Sequence, residues 1–168
     1  MRWTRSALVP TAVMCLTLGV AGCSSARQPA AKPSASSTAL SIGALAATYL
    51  AIARPANHRL DVEVSAYAKH ARHNLAAAAA ALRAQAATER HFDRQLAAIP
   101  FPPAIAATAS ALIRVNEIRA RLTEHQAAAT SIPALLSFAD SHKAADAEVE
   151  AQVRVIRAEL GLPPPESS

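Results

Sequence analysis

Cysteine is nearly absent from this sequence. Cys15 and Cys23 are the only two in 168 residues, and both precede the bulk of the chain, which can therefore form no disulfide, cysteine metal site or thiol nucleophile. Glycine is scarce as well, with four residues in all. That is too few for a Gly-rich phosphate loop or a Gly-x-Ser-x-Gly nucleophile elbow, and neither pattern occurs. Aromatic residues make up 4% of the chain and β-branched residues are few, which argues against a β-sandwich or barrel. What abounds is alanine, the best helix former and a poor core filler. A hydrophobic content of 52% argues against global disorder. The length suits one domain of ordinary size with appendages, and the composition makes that domain all-α.

The first 22 residues read as an address. Arg2 and Arg5 form a positive start, and Ala7 to Val20 form an apolar run of 14 residues. About 14 residues at 1.5 Å each are too few to span ~30 Å of hydrocarbon, so the run reads as a signal peptide rather than a membrane span. It ends in Val20-Ala21-Gly22-Cys23, which resembles the bacterial lipobox: an apolar residue, two small residues and a cysteine. That resemblance implies diacylglyceryl transfer to the Cys23 thiol, then cleavage by signal peptidase II between Gly22 and Cys23. Val20, Ala21 and Gly22 would be the recognition residues and Cys23 the lipidation site. The protein would then sit on the extracytoplasmic face of the cell membrane, held by its acyl chains.

Loss of residues 1–22 would remove Arg2 and Arg5 and no acid, leaving 15 of the 17 basic residues against 12 acidic ones. A formal charge of about +3 suits anionic headgroups near the anchor and is far from the basic stripe of a nucleic-acid binder. Residues 23–38, rich in Ser, Ala and Pro with Arg27 and Lys32 as the only charges, read as the lipidated cysteine and a tether. From Leu40 the pattern changes to helical periodicity. Residues 39–162 are expected to form an antiparallel up-down bundle of about four helices, and 163–168 a disordered tail.

Each helix carries its own signals. Leu45, Tyr49, Ile52, Ala56 and Leu60 step by three and four between Leu40 and Tyr67, with Pro55 either kinking that helix or splitting it. Leu75, Leu82, Glu89 and Leu96 repeat by seven between His70 and Ile99, as a bundle seam does, and Pro100, Pro102 and Pro103 end the run. Ile105, Leu112, Val115 and Leu122 mark a third helix from Pro103 to Ala129. Thr130-Ser131-Ile132-Pro133 then offers a cap and a first-turn proline. The last helix carries the clearest pattern: Leu135, Ala139, His142, Asp146, Val149, Val153, Ile156 and Leu160. Gly161 is placed to close it, and Pro163-Pro164-Pro165 forbids continuation.

Tyr49-Leu50, Pro55, Asn57, Phe92, Pro100 and the ending Leu160-Gly161-Leu162-Pro163 resemble those of Ala-rich actinobacterial lipoproteins, which pair a lipobox and a low-complexity tether with a small helical domain. The resemblance implies a fold and an address. It implies no activity, cofactor or functional residue.

Among the polar residues, His142 and Asp146 stand at i and i+4 on an otherwise apolar face, within reach of one ion or of each other. Glu89 falls on the seam of the second helix, and Asn116 and Arg119 near that of the third. One expectation is a buried polar layer in which His142 pairs with Asp146 and Glu89 with Arg119, fixing helix register. The alternative is a metal or small-ligand site using His142, Asp146 and Glu89, although the Glu-x-x-His pairs of di-metal bundles do not occur. His70 and His73 read as solvated residues at a helix start. His91, Glu89 and Asp93 read as a polar helix face, as do Arg114, Arg119 and Arg121 with Glu117 and Glu124. No catalytic residue, resident metal or cofactor is expected. The expected function is a non-enzymatic interaction or envelope-scaffold module, whose partners are membrane lipid through acylated Cys23, an unidentified envelope protein and no nucleic acid.

Overall fold

The computed structural model describes residues 40–165; the signal peptide expected at 1–22 and the lipidated Cys23 and tether expected at 23–38 lie outside the described residues, as do 166–168. The described chain is helical throughout: α1 (Ile42–His70), α2 (Leu75–Ala97), α3 (Pro103–Ala127), a short α4 (Ile132–Leu136) and α5 (Ala139–Glu159). Four long helices packed in sequence order form the expected bundle. Extended interfaces join α1 to α2, α2 to α3 and α3 to α5, while α4 touches α3.

The helix ends follow from local chemistry. Ser41 and Asn74 cap α1 and α2 by accepting from the Ala44 and Ala77 amides at 3.2 and 3.0 Å, which satisfies donors the first turn leaves free. At the end of α5 the Gly161 amide bonds to Ala158 O at 3.0 Å and the Leu162 amide to Arg157 O at 2.8 Å. Gly161 has φ of 65°, the left-handed conformation this closure requires and glycine adopts without strain. Pro163, the first residue of the expected tail, is held by its carbonyl, which accepts from Arg157 Nε at 2.7 Å.

Two boundaries differ from the sequence reading. Pro55 does not split the first helix, and α1 runs through it for 29 residues. Pro55 and Ala51, whose carbonyl loses its partner, both face solvent, so water can take the orphaned acceptor. The last helix does break, between Leu136 and Ala139. There the Ser137 hydroxyl donates to Ala134 O at 2.8 Å and its amide to Pro133 O at 3.1 Å. Those local bonds compete with the helical ladder, and Phe138 turns edge-on to the His125 ring of α3 at 5.2 Å.

The apolar core comes in two parts. The larger draws Leu45 and Tyr49 of α1, Leu96 of α2, Ile105 and Leu112 of α3, and Ile156 and Leu160 around α5 into one cluster. The smaller gathers Ala71, Ala78, Ala79, Leu82, Ala127 and Leu135 at the other end. Between them the bundle is polar.

Candidate functional site

The polar layer takes side chains from all four long helices: Glu63 of α1, Glu89 and Asp93 of α2, Asn116 and Arg119 of α3, and His142 and Asp146 of α5. Leu82 and Leu96 belong to the two apolar clusters. Glu89, seven residues from each, must therefore fall between the clusters and point inward. It is 4% exposed. Asp93, one helical turn further along, is buried beside it, because i and i+4 share a face. His91, two residues from either, is exposed.

Arg119 organises the layer. Its guanidinium donates to Glu89 Oε1 at 2.6 Å and to Asp146 Oδ1 at 3.0 Å, tying α3 to both α2 and α5. Burial works against its charge, but the two carboxylates more than offset that and hold its pKa above the ordinary value. Burial pushes the Glu89 carboxyl up, and Arg119 pulls it back only in part. Asn116 Nδ2 donates to Asp93 Oδ1 at 2.8 Å, and the Thr88 hydroxyl to Glu63 Oε1 at 2.8 Å. Glu63 Oε2, Glu89 Oε2, Asp93 Oδ2 and Arg119 Nε have no hydrogen-bond partner within the protein.

Expectation and structure diverge at α5. Glu89 pairs with Arg119 as expected, but His142 and Asp146 do not bond to each other. Asp146 turns to Arg119, and its side chain is 51% exposed. His142 is half-buried with Nε2 unbonded, and burial lowers its pKa although Asp146 opposes this. The start of α5 lies at the edge of the bundle, so Ala139 and Asp146 are exposed while Val149, Ile156 and Leu160 are buried. The proposed metal ligands are also not gathered. Among the described residues no three His, Cys, Asp or Glu side chains form a group that could hold a metal ion. Between Glu89 and Asp146 stands the Arg119 guanidinium, which supplies the positive charge a metal would have brought.

Two other readings of polar faces need correction. Asp93, expected on a solvated face with His91, lies inside the layer, and Arg119, expected both in the layer and on the charged face of the third helix, belongs to the layer. The rest of the α3 face behaves as a solvated one. Arg121 bonds Glu117 at 2.8 Å within α3, and Arg90 of α2 reaches across to Glu117 at 3.0 Å and to Glu124. His70 and His73 lie at the end of α1 and in the turn after it rather than at a helix start, with their rings edge to face at 5.7 Å.

Burial raises the Asp93 carboxyl from 3.8 to about 6, with Glu89 and Glu117 adding repulsion and Asn116 and Arg119 opposing it. A carboxyl that holds its proton more tightly when folded adds stability at mild acid and loses that contribution as pH rises through its folded pKa. Asp93→Asn keeps the oxygen facing Asn116 and removes the titration. Thermal melts should therefore show wild type gaining on Asp93→Asn as pH falls from 7.5 to 5, within the interval between about 6 and 3.8 where only the folded carboxyl is protonated. The opposing contribution of His142 is common to both proteins, so parallel curves would show that Asp93 is not the group titrating.

No protein-family model, curated protein or solved structure matches the chain.

Proposed function

We infer that the protein is a lipid-anchored extracytoplasmic protein whose helical bundle is a non-enzymatic interaction or envelope-scaffold module. The observation that carries this reading is the N-terminal order of charges, apolar run and Val20-Ala21-Gly22-Cys23, ahead of a domain that opens with its own cap at Ser41. No described helix is long and apolar enough to cross a membrane, and the reading assigns covalent attachment to Cys23. It is further supported by how the buried polar groups are used, Glu89 on Arg119 and Asp93 on Asn116, as register-fixing pairs inside a bundle. The other reading, a ligand or metal binder on His142, Asp146 and Glu89, has less support because Arg119 already bridges two of the three.

Cys23→Ser tests the reading directly. Metabolic labelling with a radioactive fatty acid should mark wild type and leave the variant unlabelled, and the variant should leave the detergent phase on phase separation. A variant that still partitions into detergent like wild type would sink the lipoprotein assignment.

A further inference from the structure

We propose that one end of the bundle, formed by the start of α1, the α2–α3 turn and the end of α5, docks on an anionic lipid surface. The core cluster containing Leu45, Leu96, Ile105 and Leu160 brings these three segments to the same end. It is the end at which the described chain meets the residues leading back to Cys23. The proposal rests on the lipid-anchored reading for the presence of a membrane, and adds a second, non-covalent contact made by the folded domain.

The end has the composition of an interfacial surface. Its tip carries no charged side chain along α1 before Arg54, nor from Gln95 to Ile113 across the α2–α3 turn, nor from Leu160 to Pro165. Two large apolar side chains stand out of it, Leu40 at 47% exposed and Ile42 at 45%, and Pro102 and Pro103 in the neighbouring turn are exposed as well. Behind the tip is a collar of exposed arginines, one on each long helix: Arg54, Arg94, Arg114 and Arg154. They lie between three and twelve residues from the helix ends, or roughly 5–18 Å at 1.5 Å per residue.

Few acids oppose the collar. Seven of the eleven acidic residues between 40 and 165 lie in the far halves of their helices. Of the four in this half, Glu89 and Asp93 are buried, Glu150 is paired with Arg154 at 3.0 Å, and Glu159 accepts from Thr108 at 2.9 Å. Apolar side chains that enter the headgroup region, with arginines behind them facing lipid phosphates, are what interfacial binding to an anionic leaflet requires.

The test is co-sedimentation of residues 24–168 with vesicles. This chain retains the whole core, drawn from residues 45–160, and lacks Cys23, so acylation cannot contribute. Circular dichroism should confirm that each variant is helical. The chain should bind phosphatidylglycerol vesicles, lose most of that binding in 0.5 M salt, and bind pure phosphatidylcholine weakly. Leu40→Asp with Ile42→Asp should lower the partition coefficient about tenfold or more, and Arg94→Glu about fivefold or more. Lys69→Glu with Arg72→Glu, at the opposite end, should change it far less. Equal binding to neutral and anionic vesicles, no binding to either, or equal losses from the two ends would overturn the proposal. Concentration-dependent dimerisation, abolished by the Leu40 and Ile42 substitutions without any lipid binding, would instead assign the tip to a second copy of the chain. Because Cys23 is absent, failure here leaves the acylation result standing, and loss of the acylation assignment leaves this measurement intact.

Discussion

Arg119→Met should destabilise the bundle by about 3–5 kcal/mol, measured by urea denaturation at pH 7, because it leaves Glu89 as a buried carboxylate without a counter-charge. Glu89 is 4% exposed, so water cannot easily replace the guanidinium that now donates to it at 2.6 Å. Replacing both members, Arg119→Met with Glu89→Met, should restore most of the loss or exceed wild-type stability, since the desolvation of two charges disappears with their attraction. Asp146→Ala offers the contrast. The sequence alone suggests a sizeable effect there, through a buried His142 left unpartnered. The structure instead places Asp146 at the edge of the layer, half in solvent, and an ion pair of that kind contributes roughly 0–1 kcal/mol. A large loss for Asp146→Ala and a small one for Arg119→Met would mean the layer is organised around α5 rather than α3.

Leu112→Ala should cost about 2–5 kcal/mol in the same assay. Leu112 is 0% exposed and sits in the larger core cluster, whose buried members include the alanines Ala46, Ala53 and Ala109. Alanine has no side-chain torsion with which to move into a void, so the cavity would persist rather than collapse. That places the expected loss above that of the transfer of the removed carbons alone. Val62→Ala removes two methyl carbons from an exposed position on α1 and should stay within about 0.5 kcal/mol. For a domain whose total stability is of the order of 5–15 kcal/mol, a loss of the Leu112 size is a large fraction of the whole. A Leu112→Ala protein as stable as Val62→Ala would show that the core relaxes around the deletion.

Much of this was legible from residue order, because helix periodicity and end signals act locally. Steps of three and four identified the inward faces of the four long helices, and Leu45, Leu82, Leu96, Leu112 and Ile156 are buried where those steps place them. Ser131 caps α4 and Gly161 closes α5 as their positions require. The seven-residue spacing through Leu82 and Leu96 put Glu89 on the seam. The same spacing argument could have found Asp93, four residues from Glu89 and three from Leu96, had it not been grouped with exposed His91. Arg119 fits two readings from sequence, a buried partner of Glu89 and a member of a charged helix face, because its neighbours Glu117 and Arg121 do form the solvated ion pairs that such a face suggests.

What the sequence determined by itself is the class of fold, the approximate number of long helices, and which of the main apolar residues face inward, because each depends on contacts within a few turns of one helix. Tertiary structure alone decided the partners of the polar layer. Whether Asp146 meets His142 or Arg119 depends on how far α5 stands from α3 and α1, a distance set by side chains remote in sequence. It also decided that Pro55 could remain within a continuous helix, since that depends on Ala51 and Pro55 facing solvent rather than a neighbouring helix. The break before α5 arises similarly: a three-and-four pattern can continue through Ser137 and Phe138, but only the packed chain places the His125 ring where Phe138 meets it.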